Sequence, residues 1–365
     1  MHKLFTIGPV EMYPSTKNIL EKGFVHFRSP EYSEIVTNCL DKLSQLLGNK
    51  NKNSLIYLAA SGTAAMEATI ENCVKAKDKV LVINGGTFGN RFCELLKYHH
   101  KNFDSIDLVW NETLTEKHLE KYNGKNYSML FVNIHETHTG QLYNIEMLSN
   151  FCKQNNLMFV VDAISSFLAD RYEMDKYNID LTIISSQKGL CLSPGMSFVS
   201  FSPRMLKKVY SNNEVASKYF DFKDYLINIT RGQTPYTPPV CIMYELQDML
   251  QIIASEGGIN GRLKIVEEKC NYFRKKAINY GLKIPTYPLS NMLTPILVED
   301  IDAYKVIQVM KNKYKLFVNP CGGDLSSKLL RVSHIGNTTL SDIDNLIEKL
   351  ILSIEEIKHE DSNLW

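Results

Sequence analysis

Two ionisable side chains stand just after apolar runs of the sequence, where buried strands would end. Lys188 follows the run 181–185 and has no other charged residue within five positions on either side. A lysine that is partly removed from water has a lowered pKa and can form a Schiff base with an aldehyde; the alternative is one more surface lysine. Asp162 interrupts the apolar stretch 157–169. A buried carboxylate there requires a partner, such as a protonated pyridine nitrogen, a helix cap or a loop arginine.

Two segments rich in small residues also follow apolar runs. Ser61, Gly62 and Thr63 precede a helical pattern. Hydroxyls and backbone N–H groups at a helix start predict an anion site or a plain helix cap. In the segment 85–91 (GGTFGNR), the glycines allow a ligand to approach the backbone closely. Phe88 is expected either to stack on a flat ring or to pack in the core.

The charge composition excludes one class of function and makes the arginines informative. Lys plus Arg is 41 against 40 Asp plus Glu, so the net charge is +1 and there is no basic surplus of the kind a nucleic-acid binder shows. Only eight of the basic residues are arginines and 33 are lysines. Because the planar guanidinium suits bidentate binding of anions, each arginine is a candidate ligand for an anionic group.

Hydropathy and the cysteines point to the cytoplasm. No apolar run is long and uninterrupted enough to predict a membrane span. The start, MHKLFTIGPV, has too short an apolar run for a signal peptide. The eight cysteines are scattered without a CxxC pair, so neither a zinc site nor a disulfide framework is expected. We therefore expect a cytoplasmic protein with reduced cysteines and no bound metal.

The elements that position these residues alternate between strand and helix. Strands are predicted at 55–60, 79–84, 106–110, 129–134, 159–163 and 181–185, with helical patterns between several of them. This alternation predicts an α/β fold with a largely parallel sheet, whose ligands bind beyond the carboxyl ends of the strands. After about residue 251 the pattern changes to long helices at 260–280 and 341–357 and strands near 292–298, 316–319 and 329–333. That region predicts a smaller α+β unit.

The ordered segments resemble one family. They are SGTAAMEA, NGGTFGNR, HETHTG, VVDAISS, SSQKG, YTPPV and LRVSHIGN, preceded by TIGPVEMYP and HFRSPEY. From Gly8 to Ile347 the chain resembles the fold-type I, class V pyridoxal-phosphate aminotransferases, in the branch of alanine–glyoxylate, serine–pyruvate and 2-aminoethylphosphonate–pyruvate transaminases. The resemblance implies a large domain, 15–256, with a mostly parallel seven-stranded sheet covered by helices. A smaller α+β domain, 257–365, would be joined by the N-terminal segment 1–14.

The resemblance also implies roles for individual residues. Lys188 matches the Schiff-base lysine that moves the proton, and Asp162 matches the partner of the cofactor's pyridine nitrogen. Phe88 matches the aromatic residue stacked on the ring, and Arg331 matches the arginine that binds the substrate carboxylate. The remaining matches concern the phosphate (Ser61, Gly62, Thr63 and Gln187), the ring hydroxyl (Thr139) and, in YTPPV, a neighbouring subunit's cofactor (Tyr236 and Thr237).

The implied activity is a ping-pong transamination by a homodimer. An amino donor such as alanine, serine or 2-aminoethylphosphonate would give its amino group to a small 2-oxo acid such as pyruvate or glyoxylate. One alternative is a cysteine desulfurase of the same class, with Cys321 as nucleophile. Against it, desulfurases have histidines where this chain has Gln187 and Phe88. The other alternative is a catalytically silent protein of the same fold. His138, Arg28 and Arg91 lie in family-like segments without an assigned role.

Overall fold

The computed structural model describes residues 2–298 and 300–362. Positions 1, 299 and 363–365 of the predicted small domain therefore lie outside the described residues. Its helices are α1 (Pro14–Lys17), α2 (Pro30–Leu46), α3 (Gly62–Cys73), α4 (Thr87–Tyr98), α5 (Glu116–Glu120), α6 (Ile145–Gln154), α7 (Pro203–Tyr210), α8 (Phe222–Ile229), α9 (Val240–Ser255), α10 (Gly258–Asn279), α11 (Ala303–Tyr314) and α12 (Leu340–Ser362), with 3-10 turns at Ile19–Lys22 and Gly323–Leu325. Its strands are β1 (Lys3–Phe5), β2 (Leu55–Leu58), β3 (Lys79–Asn84), β4 (Asn102–Asp107), β5 (Met129–Asn133), β6 (His135–Glu136), β7 (Gln141–Leu142), β8 (Met158–Asp162), β9 (Leu181–Ser185), β10 (Ser197–Phe201), β11 (Leu293–Leu297), β12 (Leu316–Pro320) and β13 (Leu329–Ser333).

Seven strands form the large sheet, in the order β2-β10-β9-β8-β5-β3-β4. All of them run parallel except β10, which is antiparallel to both of its neighbours. The central strands β5, β8 and β9 are apolar almost throughout because helices cover both faces of the sheet. This architecture confirms the predicted α/β fold with a mostly parallel seven-stranded sheet.

Two strands of this sheet differ from the sequence prediction. β10 was not predicted, because two serines interrupt the apolar residues of its sequence SFVSF, although all five residues are buried. β4 was predicted at 106–110 but spans Asn102–Asp107. It lies at the edge of the sheet and is only partly buried, so its sequence, NFDSID, does not show a continuous apolar run.

A second sheet of four strands, β1-β12-β13-β11, carries its own hydrophobic core. The N-terminal strand β1 pairs in parallel with β12, so Phe5 packs with residues more than 260 positions later in the chain. The long helix α10 serves both cores: Val266 packs into the large one, whereas Phe273 and Ala277 pack into the small one. None of the helices in 2–298 and 300–362 combines the length and apolar character that a membrane span requires.

The parallel arrangement decides where the chemistry-bearing residues meet. Asp162 ends β8, and Lys188 follows the end of β9, its neighbour in the sheet. Gly62 opens the helix that follows β2. Since β2, β8 and β9 run in the same direction, these residues lie at one edge of the sheet, beyond its carboxyl ends.

Candidate active site

A cavity of about 350 Å³ lies at this edge, between the large sheet and the small one. It brings together three residues that the sequence singled out, Phe88, Lys188 and Arg331. The complete lining is Ile7, Gly8, Thr87, Phe88, Thr137, His138, Lys188, Asn319, Pro320, Cys321, Gly322 and Arg331.

The position of Lys188 lowers its basicity. Burial, aided by the Arg331 cation and partly offset by Asp162, lowers the pKa of Lys188 from 10.5 to about 8. The backbone holds the residue in a turn, in which the Cys191 N–H donates to the Lys188 carbonyl at 2.9 Å. A Cβ at Gly8 would lie 2.9 Å from Lys188 Cδ, so a larger residue in this N-terminal segment would push the lysine side chain aside. An amine with this pKa is available as a base or nucleophile near neutral pH.

Asp162 is a buried carboxyl group with few partners of its own. Its side chain is 5% exposed, and Oδ1 accepts a hydrogen bond from the Ile164 N–H at 2.8 Å. Burial raises the pKa of Asp162 to about 7, while the Ile164 N–H and the nearby Lys188 act in the opposite direction. A positively charged N–H group placed against this carboxylate would restore its ionised form.

The segment 61–63 forms the start of α3. Ser61 caps the helix, its hydroxyl accepting from the Ala64 N–H at 3.3 Å. A Cβ at Gly62 would lie 2.4 Å from Ile164 Cδ1, so any larger residue there would displace the Ile164 side chain. Thr63 presents its hydroxyl to Arg91, at 3.4 Å from Nη1. These residues and the half-buried Gln187 lie beside the cavity lining rather than in it.

Glu136, which the sequence analysis did not single out, fixes the first turn of α4, which carries Phe88. It is fully buried and accepts hydrogen bonds from the backbone N–H groups of Phe88 (3.4 Å), Gly89 (3.2 Å) and His138 (3.1 Å). The amide of Asn133 donates a fourth at 3.0 Å. Burial raises the pKa of Glu136, and these four donors counteract that effect. The sequence signal was weak, because one acidic residue in HETHTG does not show which N–H groups surround it.

Arg331 lies on β13 and reaches the cavity from the small sheet. Its guanidinium donates to the carbonyl oxygens of Thr137, at 2.6 Å, and Pro320. Its buried Nε has no hydrogen-bond partner, and no carboxylate of the described chain forms an ion pair with it. A guanidinium that is fixed by two neutral carbonyls, and whose charge only the electrostatic effect of Glu136 offsets among the described carboxylates, is suited to a carboxylate brought by a ligand.

Besides Asp162, Ser61, Gly62, Thr63 and Gln187, three further residues of the predicted site are absent from the cavity lining. The Thr139 hydroxyl contacts the Glu136 carbonyl at 3.4 Å, and it is Thr137, two positions earlier, that lines the cavity. Tyr236 stacks on Tyr219, with 5.0 Å between ring centroids, and its hydroxyl donates to the Lys218 carbonyl. Thr237 is exposed at the surface.

Arg28 supports the segment that leads to Tyr236 and Thr237. Its guanidinium donates to the Thr234 carbonyl at 2.7 Å, the Pro235 carbonyl at 3.2 Å and the Gln233 side chain at 3.1 Å. Since all three acceptors belong to one loop, Arg28 fixes its path at the protein surface.

The arrangement fits pyridoxal phosphate. The buried carboxyl of Asp162 matches the protonated nitrogen of a pyridine ring, and Lys188 has the pKa of an amine that condenses with an aldehyde. The start of α3 offers N–H groups to a phosphate. Gly62 has no side chain that could cover these N–H groups, and a Cβ there would displace Ile164.

The comparisons with known proteins agree with this fit. The family model for class-V aminotransferases matches residues 12–346. An uncharacterized aminotransferase of Methanocaldococcus jannaschii is 27% identical over 97% of this chain and 92% of that protein. The L-aspartate–glyoxylate aminotransferase of Paracoccus denitrificans is 25% identical over 92% of this chain and 87% of its own.

A solved structure gives the same result at the level of the fold. The alanine–glyoxylate aminotransferase of Nostoc sp. superposes with a TM-score of 0.90 at 26% identity, covering 97% of this chain and 95% of that one. The match extends over both sheets, because it leaves only 3% of the chain uncovered. The chain therefore belongs to the class-V aminotransferase family and is a fold-type I, pyridoxal-phosphate-dependent transaminase.

Proposed function

We propose that this enzyme moves an amino group from a small donor, such as alanine, serine or 2-aminoethylphosphonate, to a small 2-oxo acid such as pyruvate or glyoxylate. The observation that carries the proposal is the unpaired guanidinium of Arg331 in the same cavity as Lys188. The relatives from Paracoccus and Nostoc are both named for glyoxylate, which supports a small 2-oxo acid as acceptor. A half-reaction with each substrate in turn gives the ping-pong order.

In this proposal Lys188 moves the proton at the α-carbon of the substrate. Pyridoxal phosphate, when bound, supplies the electron sink that stabilises negative charge at that carbon. Asp162 keeps a proton on the ring nitrogen, and Phe88 packs against the ring face. With a pKa of about 8, about a tenth of the lysine is unprotonated at pH 7, far more than for a lysine in water, so it can take up a proton and return it at a small energetic cost.

The phosphate is held in this proposal by Ser61, Gly62, Thr63 and Gln187. The N-terminus of α3 supports this role, because its free N–H groups carry partial positive charge. The hydroxyl of Thr63 adds a donor, and Arg91 lies behind it. Thr139 remains our candidate for the ring hydroxyl, while Thr137 in the cavity lining is a second one.

We further propose a homodimer in the cytoplasm. Thr237 is exposed and stands on a loop that Arg28 fixes, which supports a role at the cofactor of a neighbouring subunit. The existence of two cores supports two domains, which we propose to span 15–256 and 257–365 with 1–14. Six residues of the proposed small domain pack into the large core, namely Ile7, Val10, Val266, Met292, Leu293 and Ile335. All eight cysteines are free, as expected in a reducing compartment.

The environment of Cys321 favours a transaminase over a cysteine desulfurase. Its thiol donates to the His138 carbonyl at 3.3 Å, and burial raises the pKa of Cys321 despite the nearby Arg331. A desulfurase requires the thiolate as nucleophile, and this environment favours the protonated thiol instead. We therefore expect Cys321→Ala to retain most of the transamination rate.

Stopped-flow absorbance of the bound cofactor tests the proposal. Each amino donor is mixed with the purified enzyme in the absence of 2-oxo acid, so that only one half-reaction occurs. We expect Lys188→Ala to abolish the spectral change and Arg331→Lys to reduce its second-order rate about 100-fold, because lysine lacks the bidentate fork. The matched control Arg231→Lys, at an arginine bonded to Asn228 outside the cavity, should leave the rate unchanged. Transamination by Lys188→Ala would refute the mechanism.

A further inference from the structure

A threonine and a histidine without a role in the steps above face the cavity beside Arg331. Thr87 begins α4, and His138 follows Thr137, whose carbonyl accepts from Arg331. The two side chains are hydrogen-bonded, with 2.9 Å between Thr87 Oγ1 and His138 Nδ1. Both line the same cavity as Lys188. They therefore form a polar wall next to the guanidinium that would hold the substrate carboxylate.

The imidazole of this wall is uncharged at neutral pH. Burial, with a contribution from the Arg331 cation, lowers the pKa of His138. With Nδ1 bonded to Thr87, the second nitrogen Nε2 is a donor in one tautomer and an acceptor in the other. In neither form does His138 offer a positive charge to a carboxylate.

Cys321 packs against the His138 ring without forming an aligned hydrogen bond to Nε2. Its sulfur lies 3.7 Å from Nε2 and 3.8 Å from Nδ1 of His138. A sulfur almost equidistant from both ring nitrogens is not aligned with the in-plane direction of either one. The thiol proton is directed to the His138 carbonyl, and His138 lines the cavity, so Nε2 is available to a ligand bound there.

We propose that His138, held by Thr87, is a specificity-determining residue that hydrogen-bonds a hydroxyl group on the β-carbon of the amino donor. A hydroxyl both donates and accepts, so it matches Nε2 in either tautomer. The methyl group of alanine makes no such bond. The β-carboxylate of aspartate would face an uncharged imidazole and gain no ion pair. The enzyme therefore prefers L-serine to L-alanine and L-aspartate. This inference rests on the proposed function, in which Arg331 orients the donor.

The half-reactions with L-serine and L-alanine test the role of His138. Phenylalanine keeps a ring at this position but cannot hydrogen-bond. We expect His138→Phe to lower kcat/KM for serine about three- to tenfold, the effect of one neutral hydrogen bond, and to leave alanine unchanged within about twofold. His138→Gln, which restores a donor and an acceptor, should recover most of the loss. The exposed His100, replaced by asparagine, is the matched control and should change neither rate.

A binding measurement on the holoenzyme separates recognition from catalysis. Propionate and 3-hydroxypropionate lack the amino group and differ only in the β-hydroxyl. By calorimetry, we expect wild-type enzyme to bind 3-hydroxypropionate about three- to tenfold more tightly, and His138→Phe to bind both equally. Because the wild-type ratio needs no variant, the proposal stays testable if a variant misfolds.

The outcomes distinguish this inference from the proposed function. Equal losses for serine and alanine, an unchanged rate for serine in His138→Phe, or equal wild-type affinities for the two acids would overturn the specificity role and leave transamination in place. If the wild-type enzyme reacts with no amino donor, the proposed function and this inference both fail.

Discussion

Replacing Lys188 with methionine should stabilise the cofactor-free enzyme, although it abolishes activity. The structure lowers the pKa of Lys188 from 10.5 to about 8, which means that folding disfavours its charged form. At 1.36 kcal/mol per pKa unit, burying the charged lysine lowers the free energy of unfolding at pH 7 by about 3 kcal/mol. Because the side chain is partly exposed to the cavity, we expect solvent screening to reduce this to about 2 kcal/mol. Methionine keeps the stem of the side chain and carries no charge.

The pH dependence of this gain follows from the two pKa values. Below pH 8 the lysine is protonated in the folded and the unfolded chain, and the full cost applies. Between pH 8 and 10.5 the folded enzyme loses the proton while the unfolded chain retains it, so wild-type stability rises relative to the variant. The advantage of Lys188→Met should therefore fall by about half at pH 9.5 and vanish above the unfolded pKa.

Thermal unfolding of enzyme stripped of its cofactor measures both quantities. With an unfolding entropy of about 2.1 cal/mol/K per residue, a gain of 2 kcal/mol raises the Tm of this chain by about 3 °C. Lys264→Met, at an exposed helical lysine, is the matched control and should stay within about 0.5 kcal/mol of wild type at both pH values. A variant that melts at or below the wild-type temperature at pH 7, or whose advantage is as large at pH 9.5, would refute the reasoning.

Three further substitutions test other parts of the site. In thermal unfolding, Asp162→Asn should stabilise the cofactor-free enzyme at pH 8 but not at pH 3.5. Burial raises the pKa of this carboxyl from 3.8 to about 7, so the wild-type protein loses stability by burying it only where the unfolded chain is ionised. Equal Tm values of variant and wild type at pH 8 would contradict this. Glu136→Gln should lower the Tm at pH 7 by about 3 °C, because the glutamine NH2 group would face N–H donors and lower the free energy of unfolding by about 2 kcal/mol. An unchanged Tm would show that the first turn of α4 does not depend on the Glu136 carboxylate. Gly62→Ala should raise the dissociation constant for pyridoxal phosphate at least about tenfold in equilibrium titrations, because its Cβ would displace Ile164; wild-type affinity would contradict the close approach.

The sequence by itself determined the elements and the ionisable residues at their ends. Strands buried on both faces must be apolar along their length, so β3 and β9 were predicted with the bounds that the structure shows. For the same reason Asp162 and Lys188 stood out, as charges placed directly after such runs. β10 escaped prediction because its small hydroxyl residues satisfy burial without forming an apolar run.

Only the tertiary structure decided which side chains meet around these charges. Arg331 is 194 positions from Thr137, and Cys321 is 183 positions from His138, yet each pair is in contact where the turn between β6 and β7 meets the small sheet and the residue that follows β12. Such contacts depend on how one hydrophobic core is placed against the other, which no local pattern encodes. Glu136, at the end of the short strand β6, acquires its function from N–H groups that other segments bring to it, and these exist as a set only after folding.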